Sequence, residues 1–244
     1  MIHNSVGCME LSFNTFDPKK CENRWVCYLD ILGFRKRLRR RGIADTVHWY
    51  YQSREIVESQ MRNKPRLHLR CFSDTFLIYS SDDGGASFAQ IESAARWIVN
   101  LNLATRIPLR GAISYGELYV AEEDDIHIGN PLDEAYSHSE NQDWIGLLVC
   151  RSATQRLNNL KLPASRRLNY CRFKIPGKKR LPGQKPLYAY LIGASTSQNG
   201  QNDYLEILRQ MMLESGNAKK KYQQVIDFLK RHGVWTVVGP VGNG

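Results

Sequence analysis

The chain has 244 residues with 42% hydrophobic content, enough for one sizeable core, and its length favours one or two domains. A formal net charge of +10 admits anionic partners such as nucleotides, nucleic acid or acidic lipid, without choosing among them. No stretch approaches the ~20 apolar residues that cross a bilayer, and no basic flank followed by an apolar run opens the chain, so a cytoplasmic protein without membrane insertion is expected.

Residues 1–23 have weak periodicity and read as a lead-in. Trp25 to Leu32 reads as a buried strand that ends in a turn. "RKRLRRR", Arg35 to Arg41, reads as a solvated helix face, and would also raise the local concentration of a nucleotide. Thr46 to Met61 has helical spacing, with Val47, Tyr50, Tyr51, Arg54 and Val57 on one face. Arg66 to Ser80 reads as a hairpin with its turn at Ser73-Asp74, followed by the loop "SDDGG". A second helix over 87–104 turns Phe88, Ile91, Ala95, Ile98 and Leu101 inward. Pro108 to Val120 is a long strand whose glycines imply bulges or close approach. A turn and helix over 129–140, a strand over 144–150, a short helix over 151–157 and a strand over 187–192 follow. Two helices, about 203–215 and 218–231, close the chain.

The leading order is strand, helix, strand, strand, helix, strand, which is that of an α+β ferredoxin-like or palm core: a mostly antiparallel sheet flanked by helices. The expected divisions are a lead-in over 1–23, the core domain over 24–195 and a C-terminal helical extension over 196–244. Six cysteines at 8, 21, 27, 71, 150 and 171 form no C-x-x-C pair, so spacing gives no zinc site, and several sit in apolar runs as small hydrophobes.

The chemistry centres on two aspartates. Asp30 lies near the end of the first strand in "YLDILGF", and Asp74 lies at the tip of the following hairpin. In a ferredoxin-like sheet the first strand and the hairpin are neighbours, so residues 44 apart can bring their carboxylates together. Two bare carboxylates repel; divalent cations between them remove the repulsion. Magnesium favours carboxylate oxygens plus substrate phosphates. Two ions can divide the work between the attacking oxygen and the leaving phosphates. The turn at Leu32-Gly33-Phe34 into a helix offers free backbone N–H groups suited to a triphosphate. Either aspartate alone is more often a turn or capping residue; the pair on adjacent strands is the specific signal.

"YLDILGF" resembles the first-strand motif of the class III nucleotidyl cyclases, and "CFSDTFLIY" resembles their second metal motif. "RGAISYGELY", "GNPLDEAY" and "WIGLLVCRSATQRL" resemble later motifs in character, so the resemblance spans about Trp25 to Ile192. It implies that Asp30 and Asp74, helped by the Ile31 carbonyl, hold two Mg²⁺ or Mn²⁺ ions, that N–H groups around Gly33 and Phe34 hold phosphates, and that the enzyme is a head-to-tail homodimer. The reaction would be attack of a 3′-hydroxyl on the α-phosphate of a nucleoside triphosphate.

The departures bear on the base. The family's purine-reading lysine and aspartate fall at His68 and Ile126, and its transition-state Asn and Arg fall at Asp133 and Ser137. Three readings stay open: a dead enzyme, a slipped alignment, or a base that is not a purine. The third is preferred, because the metal pair is intact. Tyr50 could fill the space of a purine's second ring, or be a core aromatic; Arg110 is a candidate for base or phosphate contact, or a brace for its strand. The pattern is similar to the pyrimidine cyclases of the Pycsar anti-phage system. That resemblance implies UTP as substrate, with CTP next, a cyclic UMP product, and a downstream effector activated by the product. The competing classes are another palm enzyme, disfavoured by the hairpin "CFSDTF", and a degenerate module that binds nucleotide or RNA; nucleic acid is not the expected partner.

Overall fold

The computed structural model describes residues 16–160, 169–178, 186–193 and 198–232. Residues 1–15 of the expected lead-in, and the expected boundary at 195–196, lie outside that set.

The central strand β1 (Cys21–Ile31) is buried without a break from Trp25 to Ile31. Its apolar run is continuous rather than alternating because both faces are covered, and both edges are paired. On one edge it pairs antiparallel with β3 (Thr75–Ser80), the second strand of the hairpin that β2 (Leu67–Phe72) begins. On the other it pairs antiparallel with β4 (Leu109–Ala121). The strand starts earlier than Trp25, since Cys21–Arg24 pair with Gly116–Tyr119 of β4. These polar residues have no apolar face to betray a strand; the long partner makes them one.

Gly111 leaves no room for a side chain between β4 and β1. A Cβ there would stand 2.4 Å from both Leu29 Cδ2 and the Tyr28 carbonyl oxygen. The close approach expected of this strand's glycines is therefore real at Gly111.

Between β1 and β2 runs α1 (Phe34–Met61), a helix that starts twelve residues before the expected Thr46 and kinks at Gly42 (φ 80°, ψ 179°). The basic run belongs to its first segment. Arg37 bridges the kink, its guanidinium paired with Asp45 at 2.7 Å and lying 4.7 Å from the Trp49 ring centroid. Thr46 Oγ1 donates to the Gly42 carbonyl at 2.8 Å. The inward face is Thr46, Trp49, Ser53 and Val57. Of the five residues expected there, only Val57 is fully buried; Tyr50 is half-buried, and Val47, Tyr51 and Arg54 are exposed. Small polar residues at 46 and 53 let the helix lie close, and an apolar count alone misplaces the stripe.

Helix α2 (Gly85–Ala104) packs on the same side as α1, with Phe88 4.8 Å from Trp25. The short β5 (Ile126–Ile128) pairs with the end of β4, and α3 (Asn130–Asn141) then crosses the opposite face, where Tyr136 meets Tyr28 edge-on at 5.5 Å. Next come β6 (Gly146–Val149), parallel to β4, α4 (Arg151–Asn159), and the antiparallel pair β7 (Tyr170–Phe173) and β8 (Leu187–Tyr190). The sheet order is β2-β3-β1-β4-β6-β8-β7, with β5 beside β4. Its leading half, β2-β3-β1-β4, is the ferredoxin-like order expected from the sequence.

The closing helices α5 (Gln198–Glu214) and α6 (Lys219–His232) share the main core. Leu208 and Val225 are fully buried, and Phe228 packs 5.0 Å from Trp144 and 4.8 Å from Phe173.

Candidate active site

At the end of β1 the register sets Asp30 between Thr75 of β3 and Arg110 of β4. The hairpin turn after β2 is tight enough to hold Ser73 at φ 53°, and it brings Asp74 beside the same strand end. There the Ile31 N–H donates to the Asp74 carbonyl at 3.0 Å. Gly33, at φ 86°, makes the turn into α1; the Arg37 N–H is bonded back to its carbonyl at 2.9 Å. The left-handed conformation is what calls for glycine there. The N–H groups of the helix's first turn have no acceptor within the helix.

These elements open onto one cleft of about 1170 Å³. Asp30, Ile31, Gly33, Phe34, Asp74, Arg110 and Asp133 all line it. Tyr50, Ser137, His68 and Ile126 are not among its lining residues. Tyr50 stacks on Phe76 at 5.9 Å and meets Phe34 at 6.5 Å, so it serves the packing beneath α1. His68 stacks on Tyr79 at 4.9 Å, with Nδ1 3.1 Å from Glu122. Ser137 is exposed on α3.

Asp30 is the buried charge of the site, only 7% exposed. Burial pushes its carboxyl up to about 6, against the pull of the Arg110 guanidinium; the charges of Asp74 and Glu140 add to the rise. Arg110 reaches a single oxygen, Asp30 Oδ2, through Nε at 2.8 Å and Nη2 at 2.7 Å. Its other contacts are to Glu140, whose side chain pairs with Nη2 and whose carbonyl accepts from Nη1 at 3.2 Å. That leaves Asp30 Oδ1 for a further cation. The Tyr28 hydroxyl shares a 3.0 Å hydrogen bond with Thr75 Oγ1, and burial pushes it up to about 12.

A basic wall faces the aspartates. Arg35 and Lys36 come from the first turn of α1, Lys178 from the segment after β7, and Lys221 from α6. Lys178 Nζ lies 3.7 Å from Glu140, and Lys221 Nζ lies 3.3 Å from Asp143. Sequence reading missed Tyr136, Glu140, Lys178 and Lys221. Lys221 stands in the "KKKY" run, where three lysines look alike until the buried face of α6 orients them; Lys178 has no local signal at all.

The donors offered by Asp30, Asp74 and the Ile31 carbonyl are all oxygen. That is the donor set hard divalent cations such as Mg²⁺ and Mn²⁺ accept, and a half-buried carboxylate pair gains most from such an ion.

No protein-family model and no curated protein matches the chain. Among solved structures it is similar to the monomeric guanylyl cyclase domain of the RhoGC fusion protein from the aquatic fungus Blastocladiella emersonii. The TM-score is 0.53 at 12% identity, over 70% of this chain and 95% of that one. A non-canonical dimeric structure of the same fungal domain matches with a TM-score of 0.53 at 11% identity, over 70% of this chain and 96% of that one. The chain therefore has the α+β palm fold of the class III cyclase domains.

Proposed function

We propose that this protein is a nucleotidyl cyclase that converts a pyrimidine nucleoside triphosphate, UTP before CTP, into its 3′,5′-cyclic monophosphate and pyrophosphate. The observation that carries the reading is the meeting of Asp30, Asp74 and the Gly33 turn in one cleft with a basic wall. The 3′-oxygen forms a bond to the α-phosphorus, the bond to pyrophosphate breaks, and the hydroxyl proton leaves to solvent. Bound Mg²⁺ or Mn²⁺ ions, two per site, would lower the cost of the attacking oxygen's charge and of the leaving phosphates' charge. Asp30 Oδ1, Asp74 and the Ile31 carbonyl would hold them. The first-turn N–H groups after Gly33, with Arg35 and Lys36, would orient the phosphates.

The pyrimidine preference rests on what is missing: neither His68 nor Ile126 is the residue type that reads a purine in the cyclases this sequence resembles. The same resemblance, to the Pycsar cyclases, supports a role in anti-phage defence through a product-activated effector. Phe72, Ile128 and Tyr136 are exposed at the cleft (82%, 66% and 48%), which supports a homodimer that closes this face with a second copy. A second reading, a module that binds nucleotide without turnover, is favoured by one observation: Arg110 already meets the charge of Asp30.

The reading is tested by Asp30→Ala and Asp74→Ala, assayed with Mn²⁺ and each nucleotide. Both should lose at least a hundredfold in turnover while the dimer remains by light scattering. Activity within tenfold of the parent in either variant would remove the two-metal assignment.

A further inference from the structure

Away from the cleft, α3 carries a second constellation with different chemistry. Glu134 and His138 are four residues apart and share a face of the helix, while Asp133, Tyr136 and Glu140 line the cleft from another face. Facing Glu134 and His138 is Cys150, the residue that joins β6 to α4. One ligand atom from each of the three, carboxylate oxygen, imidazole nitrogen and thiol sulfur, lies within 4.8 Å of the other two.

The Cys150 thiol is wholly enclosed and makes no hydrogen bond among the described residues. Its backbone is pinned, with the N–H donating to the Ile113 carbonyl at 2.7 Å. The His138 ring is half-buried and also makes no hydrogen bond among the described residues. Glu134 is held from behind by the first turn of α4. Ser152 Oγ donates to Oε2, and the Ser152 N–H donates to Oε1 at 3.4 Å. A carboxylate anchored this way keeps lone pairs for a cation. We propose that Glu134, His138 and Cys150 form a zinc-binding site that ties α3 to the junction of β6 and α4.

The dimensions are close to what zinc needs. Three atoms 4.8 Å apart lie about 2.8 Å from their common centre, so shifts below about 1 Å bring each to the 2.0–2.3 Å of a zinc bond. The donor types choose the ion: one thiolate and one imidazole select Zn²⁺ over the hard cations that suit the all-oxygen set of Asp30 and Asp74. On binding, the Cys150 S–H proton passes to solvent as the sulfur–metal bond forms, and a water molecule completes the fourth position. The consequence is mechanical. The helix that presents Asp133, Tyr136 and Glu140 to the cleft becomes stapled to the sheet. No C-x-x-C spacing announces such a site, because Glu134 and His138 lie sixteen and twelve residues before Cys150 and only one of the three is a cysteine.

The test uses the full chain and the metal alone. Metal-free protein titrated with Zn²⁺ should bind one equivalent and gain several degrees of melting temperature. Co²⁺ in its place should give a thiolate-to-metal charge-transfer band. Cys150→Ser should abolish that band, and His138→Ala should weaken Zn²⁺ binding at least tenfold. His138 is the less buried of the two, so its variant keeps the test decisive if Cys150→Ser misfolds. Cys171→Ser, which removes a more accessible thiol, should change neither. A charge-transfer band that survives Cys150→Ser, or zinc binding unchanged in His138→Ala, would overturn the site, as would absence of binding by the parent protein. None of these readouts involves nucleotide turnover, so they stand apart from the cyclase assignment.

Discussion

Asp30 is the most buried carboxylate lining the cleft, and its environment makes a pH prediction. Burial raises its carboxyl to about 6 in the folded chain from 3.8 outside it. A raised carboxyl favours the folded state most at low pH, and that contribution fades as pH climbs through about 6. Metal binding runs the opposite way, because the ion must displace the proton. Mn²⁺ affinity measured by calorimetry should be flat above pH 7 and fall roughly tenfold per unit below about pH 6. Equal affinity at pH 5 and pH 7 would show that Asp30 is not a ligand. Arg110 makes a related prediction. Its contacts brace Asp30 and Glu140 inside the cleft, so Arg110→Met should weaken Mn²⁺ binding or raise the melting temperature's dependence on pH, whereas a pure base contact would change only the choice of nucleotide.

The two aspartates stand out in the sequence because each sits in a motif at a strand end, and both line one cleft. Arg110 was legible as a candidate but not in its partner, since the β1–β4 register that opposes it to Asp30 has no local mark. Tyr50 was read as either a base contact or a core aromatic, and its place in the helix differs from the expected one. Helical spacing put it on an inward face, but the buried face of α1 is Thr46, Trp49, Ser53 and Val57, and the half-buried Tyr50 ring packs at its margin against Phe76 and Phe34.

At the scale of elements, one tight contact is the pairing of β1 with β4 at Gly111. Gly111→Ala would push a methyl into Leu29 and the Tyr28 carbonyl, two residues from Asp30 at most. Overpacking of this kind costs about 1–3 kcal/mol or more where backbone is the neighbour. Chemical denaturation should show a loss of that size; a stability unchanged within about 0.5 kcal/mol would mean the strands can part freely there. The elements that sequence reading found include those with strong apolar runs or full helical periods, β1, the hairpin, α2, β4 and the two closing helices, and also α3, β6, α4 and β8. Those it missed, β5 and β7, are three and four residues long with exposed or half-buried side chains, and only their partners make them strands. The first segment of α1 was read as a solvated helix face; its continuation into Thr46–Met61 as one element, kinked at Gly42 and braced through Arg37, has no mark in the sequence.

For the whole molecule, the question is how the cleft is completed. Phe72 and Ile128 are large apolar side chains left in solvent at its rim. If a second copy covers them, Phe72→Glu and Ile128→Glu should shift the protein toward monomer and reduce specific activity together, and the parent's specific activity should fall on dilution. Monomeric variants with full activity would place a complete site within one chain. The closing helices bear on the same question. They share the main core through Val225 and Phe228, and α6 brings Lys221 to the cleft.

The most direct measurement is product identification. The purified protein is incubated separately with ATP, GTP, CTP and UTP in Mn²⁺ or Mg²⁺, and the products are resolved by chromatography and mass. A cyclic pyrimidine monophosphate with pyrophosphate, from UTP above all, is the expected result. A cyclic purine product would contradict the base assignment while keeping the chemistry, and no cyclic product from any of the four, with nucleotide bound but unchanged, would contradict the cyclase assignment itself.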